Sequence, residues 1–98
     1  MKKRMVVTRN AAELAEALGL DRAEGIEIAV RSALNTKIID VVGKRRLTHA
    51  QVASLAGTSR TRVTAIMNRN TKDISTDLML RLLGALGVSA KVTFGRAA

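Results

Sequence analysis

Hydrophobic residues recur at helical spacing along most of this 98-residue chain. Each apolar run begins after a Ser, Thr, Asn or Asp, the residues that cap helix starts. The pattern predicts five helices: Asn10 to Gly19, Asp21 to about Arg46, Thr48 to about Ala56, Ser59 to about Arg69, and Ser75 to Gly87. Helix-on-helix packing should therefore dominate the fold.

The longest predicted helix carries a broad apolar stripe. Asp21 is its expected cap, with Glu24 in the reciprocal position of a capping box. Seven residues at helical spacing form the stripe: Ile26, Val30, Ala33, Leu34, Ile38, Val41 and Val42. The basic run Lys44-Arg45-Arg46 falls at the C-terminal turn, where the helix dipole favours cations whatever the function. These charges also lie next to the motif that follows.

Two short predicted helices meet across a tight turn between Thr48 and Arg69. Gln51 completes a capping box with Thr48, Gly57 is free to take a positive φ in the turn, and Ser59 caps the second helix. Small and apolar residues are expected to lock the helices together: Val52, Ala53, Leu55, Val63 and Ile66. The second helix then presents its N-terminal turn outward.

The spacing within this motif is specific. A small residue is followed four positions later by Gly, then by a β-branched residue and an apolar one: Ala53, Gly57, Val63 and Ile66. In these residues the segment resembles the Xre/Cro-type helix-turn-helix of phage repressors and bacterial regulators. The resemblance implies an all-α, five-helix, lambda-repressor-like domain that places its second motif helix in the major groove of DNA.

The formal net charge is +9, and nearly all of the excess lies on the motif. Residues 43–72 contain seven Lys or Arg and no Asp or Glu, whereas residues 1–42 contain seven against six and residues 73–98 three against two. A solvated basic face is the alternative interpretation. Because the run coincides with a motif that contacts phosphates, nucleic-acid binding is favoured. A membrane surface is disfavoured, since it would need the apolar residues that the core requires.

Docking of the second motif helix assigns roles to individual side chains. The expected base contacts are Arg60, which suits the O6 and N7 edge of guanine, together with Thr61 and Thr64, which suit a thymine methyl group or a base edge. The expected phosphate contacts are His49, Gln51, Ser59, Arg62, Arg69, Asn70 and Lys72, helped by free amides at the helix start. For each residue the alternative is a solvated side chain.

Val88, Ala90, Val92 and Phe94 alternate with polar residues, which is the periodicity of a strand. A lone strand needs a partner for its backbone groups, and the other candidate, Met5 to Thr8, is short. We therefore expect residues 88–94 to pair with the same strand of a second subunit. A dimer would read two half-sites about 34 Å apart, so the operator should be an inverted repeat.

The first ten residues are predicted to be a flexible basic arm, which either touches DNA or serves only as a solubilising tail. Residues 11–98 should form one domain. Met67 and Met79 are expected to fill the core.

No cofactor or metal site is expected, because there is no Cys, only one His, and no glycine-rich phosphate loop. No catalytic constellation is present either, so an enzyme is the least favoured class, and a cytoplasmic, nucleoid-associated protein is expected.

From residue 11 to Phe94 the chain also resembles HigA-type antitoxins. The resemblance rests on the segment from Arg46 to Ala53, the Gly57 turn, and the segment Asp73-Ile74-Ser75-Thr76-Asp77-Leu78. It departs from the pattern at His49, where Gln is usual, and at Thr58, where Val is commoner. It implies a dimeric repressor of its own operon that neutralises a small basic ribonuclease toxin of the HigB/RelE kind.

Three functions remain distinct at this point. The first is an antitoxin-type repressor. Its acidic region is either a face for the basic toxin or an ordinary solvated helix face: Glu13, Glu16, Asp21, Glu24 and Glu27. The second is a stand-alone Xre-type regulator without a toxin. The third is an architectural protein that coats DNA without sequence preference, which would bind operator and random duplex almost equally.

Overall fold

A computed structural model describes residues 5–7 and 21–95 of the chain. The elements in this part of the chain, in order, are β1 (Met5–Val7), α1 (Arg22–Lys44), α2 (His49–Ala56), α3 (Arg60–Met67), α4 (Thr76–Ala85) and β2 (Val92–Phe94). The protein is thus mostly helical. The predicted helix from Asn10 to Gly19 lies outside the described residues, so four of the five predicted helices are observed.

The start of α1 is fixed by the capping box that its sequence predicts. The Glu24 amide donates to Asp21 Oδ1 at 2.7 Å, and the Asp21 amide donates to Glu24 Oε2 at 3.2 Å. Two of the amides that a helix start leaves without carbonyl partners are satisfied in this way. The helix ends at Lys44, two residues before the predicted end, because Arg46 turns to a positive φ of 53°.

The apolar stripe of α1 is buried over only part of its length. Leu34, Ile38, Val41 and Val42 are buried, whereas Ile26 is 41% exposed and Val30 and Ala33 are half-buried. The prediction of one continuous buried stripe is therefore wrong in its first half. The chain divides into two compact units, Leu34–Ser89 and a second made of Met1–Ala33 with Ala90–Ala98. The boundary between these units coincides with the change in burial.

The core of the unit Leu34–Ser89 is aliphatic. Its most deeply buried side chains come from all four helices: Leu34, Ile38, Val42, Val52, Val63, Ile66, Met79 and Leu82. Met79 fills the core as predicted, and Met67 is half-buried. Burial of aliphatic side chains at roughly 25 cal/mol per Å² is the main favourable contribution to the stability of this unit.

Leu55 does not take part in this core, although it was predicted to lock the two motif helices. Its side chain is 57% exposed. Val52, Ala53 and Ala56 are the buried residues of α2. At roughly 100° per residue, Leu55 lies about 100° from the middle of the stripe that these three form. The geometry of so short a helix therefore leaves Leu55 at the surface.

The other helix starts are capped by the residues that the sequence predicts. Thr48 Oγ1 accepts from the Gln51 amide at 3.1 Å, and the Thr48 amide donates to Gln51 Oε1 at 2.8 Å, which completes a capping box. Ser59 and Ser75 each accept one amide of the first turn, at 3.2 and 3.0 Å. Each such cap contributes about 1 kcal/mol, and together they fix where the short helices begin.

The C-terminal strand has a partner within the same chain. β2 pairs in parallel with β1, in the register Met5↔Val92, Val6↔Thr93 and Val7↔Phe94. The inference that the strand lacks an intrachain partner is therefore wrong. Met5–Val7, predicted as part of a flexible arm, forms this partner strand, while residues 1–4 and 8–10 lie outside the described residues.

The observed strand is also shorter than predicted. It covers Val92–Phe94, whereas Val88 and Ala90 precede it without strand pairing. The Val88 amide instead donates to the Leu83 carbonyl at 3.0 Å, so Val88 belongs to the end of α4. Val88 is therefore part of the helix termination, although the alternating pattern alone assigned it to the strand.

Candidate nucleic-acid interface

The turn between α2 and α3 is a helix-turn-helix turn with the geometry its sequence predicts. Gly57 has φ 64° and ψ 41°, in the left-handed region that glycine enters without steric cost. The Thr58 amide closes the turn by donating to the Ala53 carbonyl at 3.0 Å. Ser59 then starts α3 two residues after Gly57. Three residues, Gly57 to Ser59, therefore join the two helices and include the turn after α2 and the cap of α3.

The motif residues Ala53, Val63 and Ile66 are buried as predicted, with exposed fractions of 6%, 1% and 0%. Val52 of α2 is also fully buried. Close-packed side chains of this kind permit few alternative arrangements. The orientation of α3 relative to α2 is therefore set by the core and does not depend on the residues exposed on its outer face.

The first turn of α3 faces solvent. Arg60, Thr61 and Arg62 are all exposed. Ser59, which precedes them, uses its Oγ as an acceptor for the Arg62 amide at 3.2 Å, and its hydroxyl hydrogen remains available to donate to a phosphate. Two guanidinium groups and two hydroxyl groups are thus presented together on four consecutive residues at the start of a helix.

His49 and Thr64, predicted to contact a phosphate and a base respectively, are hydrogen-bonded to each other. His49 Nδ1 lies 2.8 Å from Thr64 Oγ1, and both side chains are half-buried. The bond joins the first residue of α2 to the middle of α3. One hydrogen bond of the Thr64 hydroxyl is therefore used within the protein, and its methyl group is left to contact a base.

Gln51 is likewise engaged in capping. Its Oε1 accepts from the Thr48 amide and its own amide donates to Thr48 Oγ1. The expectation that the Gln51 amide is free for an anion is therefore wrong. The side-chain NH₂ group remains a donor, and Gln51 is exposed.

The end of α3 is held by a residue that the sequence analysis missed. Asn35 on α1 is 4% exposed, and its Nδ2 donates to the Ile66 carbonyl at 2.8 Å. Burial of an amide without a partner would be costly, so this bond fixes the last turn of α3 against α1. The available signal was a polar residue between Leu34 and Ile38 in an otherwise apolar stripe.

The loop after α3 carries the remaining predicted phosphate contacts. Arg69, Asn70 and Lys72 are all exposed. Arg69 Nη1 also donates to Thr36 Oγ1 at 3.3 Å, so its guanidinium is bonded to α1. The loop adds two positive charges within four residues to those on the first turn of α3.

The basic run before α2 is divided between different roles. Lys44 Nζ lies 3.2 Å from Asp40 Oδ1, and Arg45 Nη1 donates to the carbonyl of Leu86, just after α4, at 2.6 Å. Arg46 is exposed. The Arg45 bond was also missed, because nothing in the sequence relates this residue to the end of α4.

Within residues 21–95 no group of three or more His, Asp and Glu side chains could hold a metal ion. None of the described helices is long and apolar enough to span a membrane. The exposed motif surface presents guanidinium, amino, hydroxyl and amide groups. These groups bind the phosphates and base edges of nucleic acids.

Comparison with known proteins agrees with this geometry. A family model described as a helix-turn-helix domain matches residues 12–95, which include all four described helices and β2. No curated protein and no solved structure matches the chain significantly. The family is Xre-like and points to a DNA-binding regulator. The match covers most of the chain, so the protein belongs to the helix-turn-helix domain family.

Proposed function

We propose that the protein is a dimeric, sequence-specific transcriptional repressor. The observation that carries this proposal is the exposed first turn of α3, held in place by a buried motif core on its other face. In this arrangement α3 enters the major groove, and Arg60 and Thr61 meet base edges. Thr64 contributes its methyl group, because its hydroxyl is already bonded to His49.

Phosphates on either side of the groove are contacted by residues around α3. Ser59 and Arg62 lie on the first turn of α3, Arg69, Asn70 and Lys72 follow the helix, and His49 and Gln51 lie at the start of α2. This distribution supports the proposal, because a helix inserted into the major groove has a phosphate strand on each side. Such contacts position the helix, whereas base contacts give sequence preference.

The test is fluorescence-anisotropy titration of the upstream promoter DNA and a scrambled duplex of equal length. The repressor should bind the promoter at least about 10³-fold more tightly. Arg60→Ala should remove most of this preference, whereas Arg81→Ala, which removes an exposed arginine of α4, should retain it. Equal affinity of the wild type for both duplexes would contradict sequence-specific repression and favour the architectural alternative.

Dimerisation is proposed through the edge of β2 that β1 does not occupy. Among the described residues the sheet has two strands, so each has one edge that the other does not pair. Three-residue strands are only marginally stable in isolation. Val92 is 52% exposed and Phe94 85% exposed, so both side chains can be buried by a second copy. Two β2 strands related by a two-fold axis run antiparallel and would join two such sheets into one.

Phe94→Lys tests this interface. The side chain is exposed in the single chain, so folding should be unaffected, but two like charges across the two-fold axis should dissociate the dimer. Sedimentation should report a monomer, and operator affinity should fall accordingly. Leu80→Lys is the control, because Leu80 is 44% exposed but lies on α4. A Phe94→Lys protein that remains dimeric would contradict the interface.

The antitoxin role is the finer part of the proposal. Asp21, Glu24 and Glu27 are exposed on and just before the first turns of α1, while Glu13 and Glu16 lie outside the described residues. An acidic face of this kind would suit a small basic ribonuclease of the HigB/RelE type. The role predicts that coexpression with the product of the neighbouring gene abolishes its toxicity. A neighbouring gene without toxicity would leave a stand-alone cytoplasmic regulator.

A further inference from the structure

The four described helices all end in the same way. In each, a residue one or two positions beyond the helix adopts a positive φ, and two amides there bond back to carbonyls of the last turn, which is a Schellman motif. The bonds from the residue after the turn are Leu47 to Val42 at 3.1 Å, Thr58 to Ala53 at 3.0 Å, Asn70 to Ala65 at 2.8 Å and Val88 to Leu83 at 3.0 Å. The geometry of the four ends is therefore equivalent.

The residue at the positive φ differs between these ends. Gly57 and Gly87 occupy it after α2 and α4, with φ values of 64° and 74°. Arg46 and Arg69 occupy it after α1 and α3, with φ values of 53° and 58°. A residue with a Cβ atom is disfavoured in this region, whereas glycine enters it freely. The chain thus places arginine twice where glycine would be more stable.

Both arginines flank the helix-turn-helix. Arg46 comes two residues before the Thr48 cap of α2, at most about 7 Å along the chain. Arg69 comes two residues after the end of α3. The end of α4, which lies outside the motif, has Gly87 instead. Strained backbone conformations persist where the side chain serves a function, so the distribution points to the side chains of Arg46 and Arg69.

The neighbours of Arg46 are already engaged within the protein. Lys44 pairs with Asp40 at 3.2 Å and Arg45 donates to the Leu86 carbonyl at 2.6 Å. The exposed guanidinium of Arg46 makes no hydrogen bond or ion pair with any described residue. The attraction of cations to a helix end accounts for Lys44 and Arg45, but it does not require arginine at the strained position.

We propose that Arg46 contacts a DNA phosphate beside the start of α2, as Arg69 does beside the end of α3. This assignment rests on the proposed function, because it requires α3 to lie in the major groove. The two arginines then hold the DNA backbone at the two ends of the motif. Each guanidinium forms charge-assisted bonds to phosphate oxygens. The positive φ of the two arginines lowers the stability of the folded protein, and the DNA contacts explain why arginine rather than glycine occupies these positions.

Arg46→Gly separates the effect of backbone strain on stability from the effect of the phosphate contact on DNA binding. Removal of the strain should raise Tm by about 2–8 °C. Loss of the phosphate contact should weaken binding to promoter and scrambled duplexes by the same factor, about tenfold for a dimer, and should lower the salt dependence by about one counterion per subunit. Arg46→Lys retains both the charge and the strain, so its Tm should be unchanged and its affinity should fall less than about threefold.

Arg81→Gln serves as the control for charge alone, since it removes an exposed arginine from α4. Its affinity for both duplexes should change by less than about twofold. An Arg46→Gly protein that binds both duplexes as well as the wild type does would overturn the proposal and leave the repressor function intact. Loss of promoter binding alone would instead indicate a base contact, and an unchanged or lower Tm would refute the strain.

A wild-type protein that binds neither duplex would remove the proposed function and this assignment together. The affinity of the wild type for both duplexes is therefore measured first, at several salt concentrations. It shows whether the proposed function fails, and the Arg46→Gly protein shows whether the assignment of Arg46 alone fails. Arg69→Gly should weaken binding to both duplexes as Arg46→Gly does, because both residues occupy equivalent positions. Its Tm should rise less, because the substitution also removes the bond from Arg69 Nη1 to Thr36 Oγ1.

Discussion

The unit Leu34–Ser89 and the strand β2 bury their side chains to very different extents. All of the fully buried large side chains among the described residues belong to the first, whereas Val92 and Phe94 of β2 are mostly exposed. The helix-turn-helix is thus stabilised by a core of its own. Among the described residues, the three-residue strand β2 has one neighbouring strand, and in the proposed dimer a second copy supplies its further burial. Substitutions should therefore affect folding in the first region and association in the second.

The largest effect is expected for a truncation in the core of the motif. Ile66→Ala should lower the free energy of unfolding by about 2–5 kcal/mol, because Ile66 is fully buried. Leu55→Ala, in the same motif but 57% exposed, should change it by less than about 1 kcal/mol. Chemical denaturation measures both. A small effect at Ile66 would contradict the account of how α3 is held.

A smaller effect is expected in the turn. Gly57→Ala should cost about 1–2 kcal/mol, because a Cβ atom is disfavoured at φ 64°. An added Cβ would meet nothing within 4 Å, so the cost is one of backbone conformation alone. Gly84→Ala is the matched control. It lies inside α4 with equally open surroundings, so alanine should stabilise the protein by about 0.5–1 kcal/mol.

The opposite signs of these two alanine substitutions would show up directly as a lower and a higher Tm. A Gly57→Ala protein at least as stable as the wild type would mean that the turn does not require the left-handed conformation.

The smallest effect is expected at Thr58. Its hydroxyl oxygen is buried and has no hydrogen-bond partner among the described residues. Thr58→Val keeps the shape of the side chain and removes the unsatisfied hydroxyl group, so it should raise the free energy of unfolding by about 1 kcal/mol. Thr61→Val, at an exposed position on α3, should leave it within about 0.5 kcal/mol of the wild type. Destabilisation by Thr58→Val would imply that the hydroxyl is bonded in solution.

The elements that the sequence predicts correctly are those encoded by near neighbours. Capping boxes at Asp21 and Thr48, the cap at Ser59 and the glycine turn at Gly57 involve residues three or four positions apart, and each is observed. Local hydrogen bonds of this kind depend little on the rest of the fold. The motif and the exposed first turn of α3 could therefore be read directly from the chain.

The features that the sequence did not reveal depend on residues far apart. Asn35 bonds to Ile66, Arg45 to Leu86, and Met5–Val7 pairs with β2 across most of the chain. Helical periodicity identifies the apolar side of a helix, but it does not show how much of that side other helices cover. Ile26 and Leu55 were expected to be buried for this reason. The turns at Arg46 and Arg69 were missed for a different reason, because arginine gives no signal for a positive φ.

The central claim is that the first turn of α3 reads bases, and a cycle of paired substitutions tests it most directly. Each guanine of a promoter half-site is replaced in turn, and anisotropy measures the affinity of the wild type and of Arg60→Ala for every duplex. We predict one guanine whose replacement costs the wild type about 1–3 kcal/mol and costs Arg60→Ala almost nothing. If every replacement affects both proteins equally, Arg60 does not read a base, and the proposed docking of α3 is wrong.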